Sequence, residues 1–294
     1  MRRIEQPPSL PPRPLEGHKG VFGRVLIVGG NRDMLGAPML AAEAAFRCGC
    51  GLVQVALPRP LLATALTICP EATGLGLTKG QDRGRLEAAA RASDVVVVGP
   101  GMGQTRDAHD RLRSLIRMDR PLLLDADALN LLSLARRWPG RFDAPAILTP
   151  HPGEMRRLAP LADLDDVPDD DSGRMHVALQ AARRFGQVVV LKGHHTVIAE
   201  PPTTVQPVQS PRVYMNTTGD SSLSKAGTGD VLAGMIASFW AQGLDRFEAA
   251  CLAVFLHGRA GELAGTRLGR RSVLARDVIA SIPASIREFE SQRI

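Results

Sequence analysis

Short apolar runs, each followed by a polar or glycine-rich turn and then by a helical pattern, recur between residues 24 and 192 of this chain. A continuous run such as the valines at 95–98 is typical of a strand that is buried on both faces. Strands that alternate with helices form a parallel sheet covered by helices on both faces, so the sequence predicts an α/β fold. The predicted strands span residues 24–28, 52–57, 94–98, 121–124, 146–148 and 187–192, and the predicted helices between them span 36–48, 83–91, 105–117, 128–138 and 175–185.

The alternation stops after Lys192. Residues 196–199 and 212–215 are short apolar strands with no helix between them, which predicts an antiparallel edge on the same sheet. Three helices are predicted to close the domain, at residues 229–242, 247–265 and 275–290.

The composition is that of one globular domain. Hydrophobic residues make up 44% of the 294 residues and aromatic residues only 4%, so alanine, valine and leucine must fill the core. No linker-like segment divides the chain. We therefore expect an extended, proline-rich arm over residues 1–17 and a single domain over residues 18–294.

The charge pattern excludes several classes of partner. The net charge is +6, but the basic residues are scattered and few aromatic residues lie between them, so no nucleic-acid partner is expected. The N-terminus lacks the apolar core of a signal peptide, and no run approaches the length of a membrane span, so we expect a soluble, cytoplasmic protein with no membrane partner. The four cysteines and the adjacent pair His194-His195 lack metal-ligand spacing, and the aspartate-rich loop 163–171 lacks calcium-loop spacing. No metal ligands are predicted.

The Gly-Thr-Gly-Asp turn at residues 227–230 precedes the apolar helical run 231–240. A glycine-rich turn at a helix start aims several backbone N–H groups at one point, and the helix dipole adds positive potential there. This arrangement suits a phosphate or a developing oxyanion. An acid does not help to bind an anion, so Asp230 must either take or position a hydroxyl proton, or cap the helix.

Further polar segments follow the predicted parallel strands, and ligands bind at the C-terminal ends of such strands. The glycine turn 99–103 either admits a ligand close to the backbone or is an ordinary turn. His151 lies between two prolines and either contacts an anionic ligand or is a structural histidine. Lys192 ends a buried strand and needs an anionic partner such as a nucleotide phosphate, unless it reaches solvent. Asp125 and Asp127 follow another strand, and Asp127 is also a candidate helix cap.

Short motifs occur in a fixed order along the chain: Gly29-Gly30, Leu35-Gly36-Ala37-Pro38, Gly49-Cys50-Gly51-Leu52-Val53, Gly99-Pro100-Gly101-Met102-Gly103, Asp125-Ala126-Asp127-Ala128-Leu129-Asn130, Thr149-Pro150-His151-Pro152-Gly153-Glu154, Leu191-Lys192-Gly193 and Gly227-Thr228-Gly229-Asp230. Their order and spacing resemble those of the ADP-dependent (S)-NAD(P)H-hydrate dehydratases, a carbohydrate kinase-like family of the ribokinase-like superfamily. The resemblance implies a ribokinase-like three-layer sandwich, with helices on both faces of a mostly parallel central sheet and an antiparallel edge.

The resemblance also implies a metabolite repair reaction, catalysed by a lyase of the hydro-lyase type. NADH or NADPH that has been hydrated on the nicotinamide ring is a dead end, and the family uses ADP, or ATP in eukaryotes, to remove water from the S epimer. Phosphorylation of the ring hydroxyl and loss of phosphate is the implied route, because phosphate leaves far more readily than hydroxide. ADP then yields AMP and phosphate, with Mg²⁺ as the implied cofactor.

Residue roles follow from the motif match. Asp230 is the implied catalytic residue, acting on the hydroxyl of the hydrate. The implied anion hole for the transferring phosphoryl group comprises Gly227, Thr228 and Gly229. The implied hydrate pocket comprises Ala37, Gly103, His151 and Asp230. The implied nucleotide site comprises Lys192, Gly193, His194, His195, Thr196 and Gly229.

Many members of the family carry Gly-Gly-Ser-Gly-Asp where this chain has Ala226 and Thr228. Alanine is small and threonine keeps the hydroxyl, so we expect activity to persist. The resemblance further implies a homotetramer, and a separate NAD(P)H-hydrate epimerase as pathway partner, since the arm is too short to be the epimerase domain fused to many relatives.

Two other functions are compatible with the same motifs. A ribokinase-like small-molecule kinase, of the hydroxymethylpyrimidine or hydroxyethylthiazole type, would share the Gly-x-Gly-Asp turn, and a nucleotide-binding regulatory protein would need no turnover. A dinucleotide dehydrogenase is disfavoured, because no predicted strand leads into Gly-x-Gly-x-x-Gly. The choice between ADP and ATP, and between NADH hydrate and NADPH hydrate, is left open by the sequence.

Overall fold

The computed structural model describes residues 1–135, 142, 144–164, 166–202 and 210–292. The strands are β1 (Arg2–Ile4), β2 (Arg24–Val28), β3 (Leu52–Pro58), β4 (Thr73–Leu77), β5 (Val95–Val98), β6 (Leu122–Leu124), β7 (Ala146–Leu148), β8 (Val188–Leu191), β9 (Val197–Ala199) and β10 (Arg212–Met215). The α-helices are α1 (Gly36–Arg47), α2 (Leu62–Ile68), α3 (Arg83–Arg91), α4 (Arg106–Leu115), α5 (Asp127–Ser133), α6 (Pro152–Leu158), α7 (Asp171–Phe185), α8 (Thr228–Ala241), α9 (Arg246–Leu268) and α10 (Ala275–Ser291).

Within the described residues, all strands join one sheet in the order β1-β10-β9-β8-β7-β6-β5-β2-β3-β4. The strands from β2 to β8 are parallel, and β9 is antiparallel to both of its neighbours. The chain moves outward from β2 to β4, returns to β5 beside β2, and then moves outward again to β8. The direction of the strand order therefore reverses between β2 and β5, and ligands bind at such a switch point.

Two hydrophobic cores lie on opposite faces of the sheet. Val95 and Val97 of β5 pack with α1, α2, α8, α9 and α10, whereas Val96 and Val98 pack with α3 to α7. Because both faces of each central strand are buried, the strands are continuously apolar rather than alternating. The result is a three-layer sandwich in which each parallel strand from β2 to β7 is followed by a helix that packs back on the sheet.

The predicted α/β sandwich, its mostly parallel sheet and its antiparallel pair of strands are confirmed. The predicted helix at 128–138 begins one residue earlier, at Asp127, and its described part ends at Ser133, while residues 136–138 lie outside the described residues. None of the described helices combines the length and apolarity needed to cross a bilayer.

Three of the described elements, β1, β4 and α2, were not predicted, and α6 was given no predicted bounds. The arm contributes β1, which pairs in parallel with β10 and so lies outside the antiparallel pair. β4 was not predicted because Gly74 and Gly76 weaken the strand pattern. These glycines have a packing reason, since a Cβ on Gly74 would lie 2.3 Å from Leu62 Cδ1 of α2.

Candidate active site

The Gly-Thr-Gly-Asp turn forms the start of α8. Gly227 is the N-cap with φ of 91°, a backbone conformation that favours glycine, and a Cβ there would also lie close to Leu40 Cδ1, at 2.7 Å. Further along α8, a Cβ on Gly234 would lie 2.1 Å from the carbonyl oxygen of Ala41, so α1 and α8 are in backbone contact. The turn is thus held against α1.

The N–H groups of this turn are available to a ligand. Among the described residues, those of Gly227, Gly229 and Asp230 have no hydrogen-bond acceptor, and that of Thr228 makes only a long, 3.4 Å bond to Lys225 O. The Thr228 hydroxyl instead donates within its own loop, to the carbonyls of Leu223 at 2.8 Å and Lys225 at 2.9 Å. Thr228 therefore braces the loop with its side chain, and the predicted anion hole consists of main-chain donors.

Asp230 lies in the first turn of α8 but does not cap it, since the helix has no side-chain capping bond. Burial, reinforced by the carboxylates of Asp125, Asp127 and Glu154, raises the pKa of Asp230 to about 7 against the opposing effect of Lys192. A carboxylate with a pKa near neutrality is well matched to taking a proton from a hydroxyl. Of the two roles open from the sequence, capping of α8 has no support in the structure.

Lys192 is paired with protein carboxylates. Its Nζ lies 2.8 Å from Asp125 Oδ1 and 3.7 Å from Glu154 Oε2, and Asp125 also accepts a 2.7 Å bond from the Thr149 hydroxyl. Burial lowers the pKa of Lys192, but Asp125 and Glu154 outweigh it, so the net shift is upward and the ammonium stays charged. A Cβ on Gly229 would lie 3.6 Å from Nζ, which places this cation at the N-terminus of α8.

The ring of His151 has a structural role on one side and is exposed on the other. Its Nδ1 accepts hydrogen bonds from the N–H groups of Gly153 at 3.0 Å and Glu154 at 3.3 Å, while the Glu154 carboxylate accepts the His151 N–H at 2.8 Å. This capping box starts α6. Because Nδ1 is an acceptor, the neutral ring carries its proton on Nε2, which can donate to a ligand.

A cavity of about 490 Å³ lies beside the α8 turn. The predicted residues that line it are His151, Lys192, Gly193, His194, Thr196, Thr228 and Gly229. His195 is not among the lining residues, because its Nδ1 is bonded to the Asp171 carboxylate at 2.7 Å. The wall also contains residues that the sequence analysis missed, namely Asn216, Thr218, Leu232, Val254 and His257.

His257 is the most unusual of these missed residues. It lies on α9, is buried, and its Nε2 has no hydrogen-bond partner among the described residues. Burial lowers the pKa of His257 to about 4, although the Thr228 backbone opposes this shift. A neutral imidazole therefore packs behind the first turn of α8.

Ala37 and Gly103 lie at the switch point rather than in this cavity. A Cβ on Gly101, in the turn after β5, would lie 3.2 Å from Ala37 Cβ. The Gly103 N–H donates at 2.7 Å to Asp127 Oδ2, so Asp127 fixes that turn and does not cap α5. Asp127 also raises the pKa of Asp230. It therefore links the turn at Gly103 with the turn at the start of α8.

Residues 25–284 match the model of the Carb_kinase family, described as NAD(P)H-hydrate dehydratase. The chain belongs to this family. Among NAD(P)H-hydrate dehydratases, the ADP-dependent (S)-NAD(P)H-hydrate dehydratase of Neisseria meningitidis is 39% identical over 257 residues, which cover 84% of this chain and 79% of that protein. A Bacillus subtilis ADP/ATP-dependent NAD(P)H-hydrate dehydratase, co-crystallised with ATP and Mg²⁺, superposes with a TM-score of 0.78 at 33% identity and covers 95% of this chain and 94% of that one.

Longer relatives share the same domain. The bifunctional NAD(P)H-hydrate repair enzyme Nnr of Moorella thermoacetica is 38% identical over 293 residues, which cover 97% of this chain and 53% of that protein. The chain thus spans about half the length of the bifunctional NAD(P)H-hydrate repair enzymes that it matches. These comparisons confirm the family that the motifs indicated.

Proposed function

We propose that this protein removes water from the S epimer of hydrated NADH or NADPH, using ADP as phosphoryl donor and releasing AMP and phosphate. The observation that carries the proposal is Asp230, a carboxylate with a pKa of about 7 beside a turn whose main-chain N–H groups are free. A base next to a preformed anion site is what phosphorylation of a hydroxyl requires.

The reaction has two steps. Asp230 takes the proton of the ring hydroxyl, and the oxygen attacks the β-phosphorus of ADP while the bond from that phosphorus to the AMP oxygen breaks. The N–H groups of Gly227 and Gly229 stabilise the charge on the transferring group, with Lys192 as a fixed cation nearby. The ring nitrogen then donates its electron pair, the C–O bond breaks, phosphate leaves, and loss of a ring proton restores the double bond.

The two substrates would occupy different parts of the C-terminal edge. ADP would lie in the cavity of about 490 Å³, and the hydrate at the switch point near Ala37, Gly103 and His151. His195 is excluded from direct contact while it holds Asp171, so it would act on the shape of the loop 192–196. The Nε2 edge of the His151 ring would lie between the two sites.

The carboxylates fit a magnesium ion that is held mainly by the nucleotide. Asp125 and Glu154 are occupied by Lys192, but Asp127 faces the same region as Asp230, and Mg²⁺ needs only one or two carboxylates besides phosphate oxygens. Asp127 would hold the ion together with the diphosphate. The ion would supply screening of the phosphate charge, leaving Asp230 free to act as base.

The proposal includes an assembly and a partner activity. Because only the S epimer would be repaired, the R epimer would have to be converted by an NAD(P)H-hydrate epimerase or by slower spontaneous epimerisation, and we propose the epimerase as the partner. We further propose a homotetramer in the cytoplasm. Size-exclusion chromatography with light scattering tests the assembly, and a monomer at micromolar concentration would rule the tetramer out.

The first test incubates the protein with S-NADH hydrate, Mg²⁺ and either ADP or ATP, and follows the near-ultraviolet absorbance of the restored dihydronicotinamide. We expect a rise that depends on nucleotide and is absent in Asp230→Asn. No rise with either nucleotide, from folded protein, would refute the proposal.

Product analysis separates the rival functions. A dehydratase releases inorganic phosphate and NADH in equal amounts, whereas a small-molecule kinase accumulates a phosphorylated alcohol and releases no phosphate. A regulatory nucleotide-binding protein would bind ADP and give neither product.

A further inference from the structure

A second cavity, of about 410 Å³, lies between α3, α4 and the loop before α3. Both helices pack on the sheet face opposite to α8 and α9, and the cavity shares no lining residue with the cavity beside the α8 turn. It is therefore separate from the proposed active site. We refer to it as the α3–α4 cavity.

Arginines dominate the lining of the α3–α4 cavity. Arg83 comes from α3, Arg111 and Arg113 come from α4, and Arg117 follows α4. Arg83 is paired with Glu87 at 2.7 Å. In the part of the chain that the structure describes, the other three guanidinium groups have neither a hydrogen bond nor a carboxylate within 4 Å. Three arginines whose guanidinium N–H groups have no described partner thus line the α3–α4 cavity.

Arg111 is the informative member of this set, because it is half-buried. Burial lowers the pKa of Arg111, while the carboxylates of Asp107 and Asp82 favour its charge without touching it. A guanidinium offers five N–H donors, and leaving them unpaired in a partly desolvated place is unfavourable. Surface arginines that extend into water carry no such penalty, so Arg111 indicates a missing anionic partner.

The acids of the same lining limit what that partner can be. Asp82, Asp107 and Asp110 also face the cavity, so the formal charge of its lining is four arginines minus three aspartates, or +1. Asp82 is already engaged by the Thr78 N–H and by Arg85. Asp107 and Asp110 can accept hydrogen bonds from hydroxyl groups. The lining contains no aromatic residue on which a base could stack, which argues against a nucleobase.

We propose that the α3–α4 cavity binds a small phosphorylated polyol, such as a sugar phosphate, with its phosphate on Arg111 and Arg117 and its hydroxyls on the aspartates. Arginine suits this role because its planar fork binds phosphate in a bidentate way. The cavity volume is within the range of small-molecule sites.

Isothermal titration calorimetry with ribose 5-phosphate tests the proposal. The wild-type protein should bind it saturably, ribose should not bind, and inorganic phosphate should bind more weakly than ribose 5-phosphate. Arg111→Gln should weaken binding about tenfold or more, as expected for loss of a charge-assisted hydrogen bond.

The matched control is Arg106→Gln, which removes an exposed arginine of the same helix that does not line the cavity. This control should leave the affinity unchanged. If Arg111→Gln does not fold, Arg117→Gln, at an exposed position, replaces it as the test variant. The proposal would be overturned if the wild type does not bind ribose 5-phosphate. It would also be overturned if Arg111→Gln and Arg117→Gln bind it with the same affinity as the wild type. Equal affinities for phosphate and ribose 5-phosphate would overturn its polyol part.

Discussion

The cavity beside the α8 turn and the α3–α4 cavity have similar volumes, about 490 and 410 Å³, but different construction. The first is lined by main-chain groups, glycines and buried side chains at the ends of strands. The second is lined by long charged side chains on two helix surfaces. The two proposed sites would therefore bind phosphate in different ways. The first would use groups that the fold itself fixes in place, and the second would use side chains on the helix surface. Changes in the first should affect stability and chemistry, whereas changes in the second should affect only its ligand.

The largest expected effect is that of Asp230→Asn on the rate. Loss of the base should lower kcat by about 10²- to 10⁴-fold, the usual contribution of general base catalysis. ADP binding, measured by calorimetry, should persist because the N–H groups of the turn remain. An Asn variant with a normal rate would show that Asp230 is not the base.

The same substitution should raise stability at neutral pH. The pKa of Asp230 is raised in the folded state from 3.8 to about 7, so ionisation of this group costs folding free energy as pH rises through that window. The melting temperature of Asp230→Asn should exceed that of the wild type above pH 7 and match it near pH 4. A constant difference at all pH values would contradict this explanation.

Lys192→Met should produce the largest loss of stability. It leaves Asp125 and Glu154 buried without their cation, and removal of one partner of a buried ion pair costs about 3–5 kcal/mol. Denaturant unfolding measures this loss. The double variant Lys192→Met, Asp125→Asn should recover part of it, and no recovery would mean that the cost lies in packing rather than charge.

A smaller effect is expected on the pH profile. If Asp230 must be ionised, kcat/KM, which reports the ionisation of the free enzyme, should fall about tenfold per pH unit below about pH 7. The Asp127 carboxylate raises the pKa of Asp230, so Asp127→Asn should move the half-maximal pH downward. Asparagine can still accept the Gly103 N–H, which keeps the turn in place. A shift to higher pH would refute the assignment of this acidic limb to Asp230.

The smallest effect is expected for a substitution in the α3–α4 cavity. Arg111→Gln should change the free energy of unfolding by no more than about 0.5 kcal/mol, as is usual for substitutions away from buried networks. Its dehydratase rate should equal that of the wild type. A loss as large as that of Lys192→Met would mean that the arginines hold α3 and α4 together.

The same contrast explains what the sequence could and could not predict. The strands from β2 to β10 other than β4 were predicted, because buried parallel strands are continuous apolar runs, and the turn at Gly227 was predicted because such turns require glycine. The pairing of Lys192 with Asp125 was missed, since it joins residues 67 positions apart across two strand ends. His257 was missed because it reaches the cavity from a different helix, and the α3–α4 cavity because arginine-rich helices usually face solvent.

The contact between Gly234 and the carbonyl of Ala41 has a consequence for evolution within this fold. A helix locked to its neighbour by backbone contact cannot slide to adjust to a new substrate, so the phosphoryl-transfer end of the molecule is a fixed template. Ala37 lies on α1, the same helix as Ala41, and Gly103 has a φ of 73° that favours glycine, so both share this backbone constraint. The fixed template therefore extends from the α8 turn to the switch point, and a new specificity would have to come from side chains outside these backbone contacts.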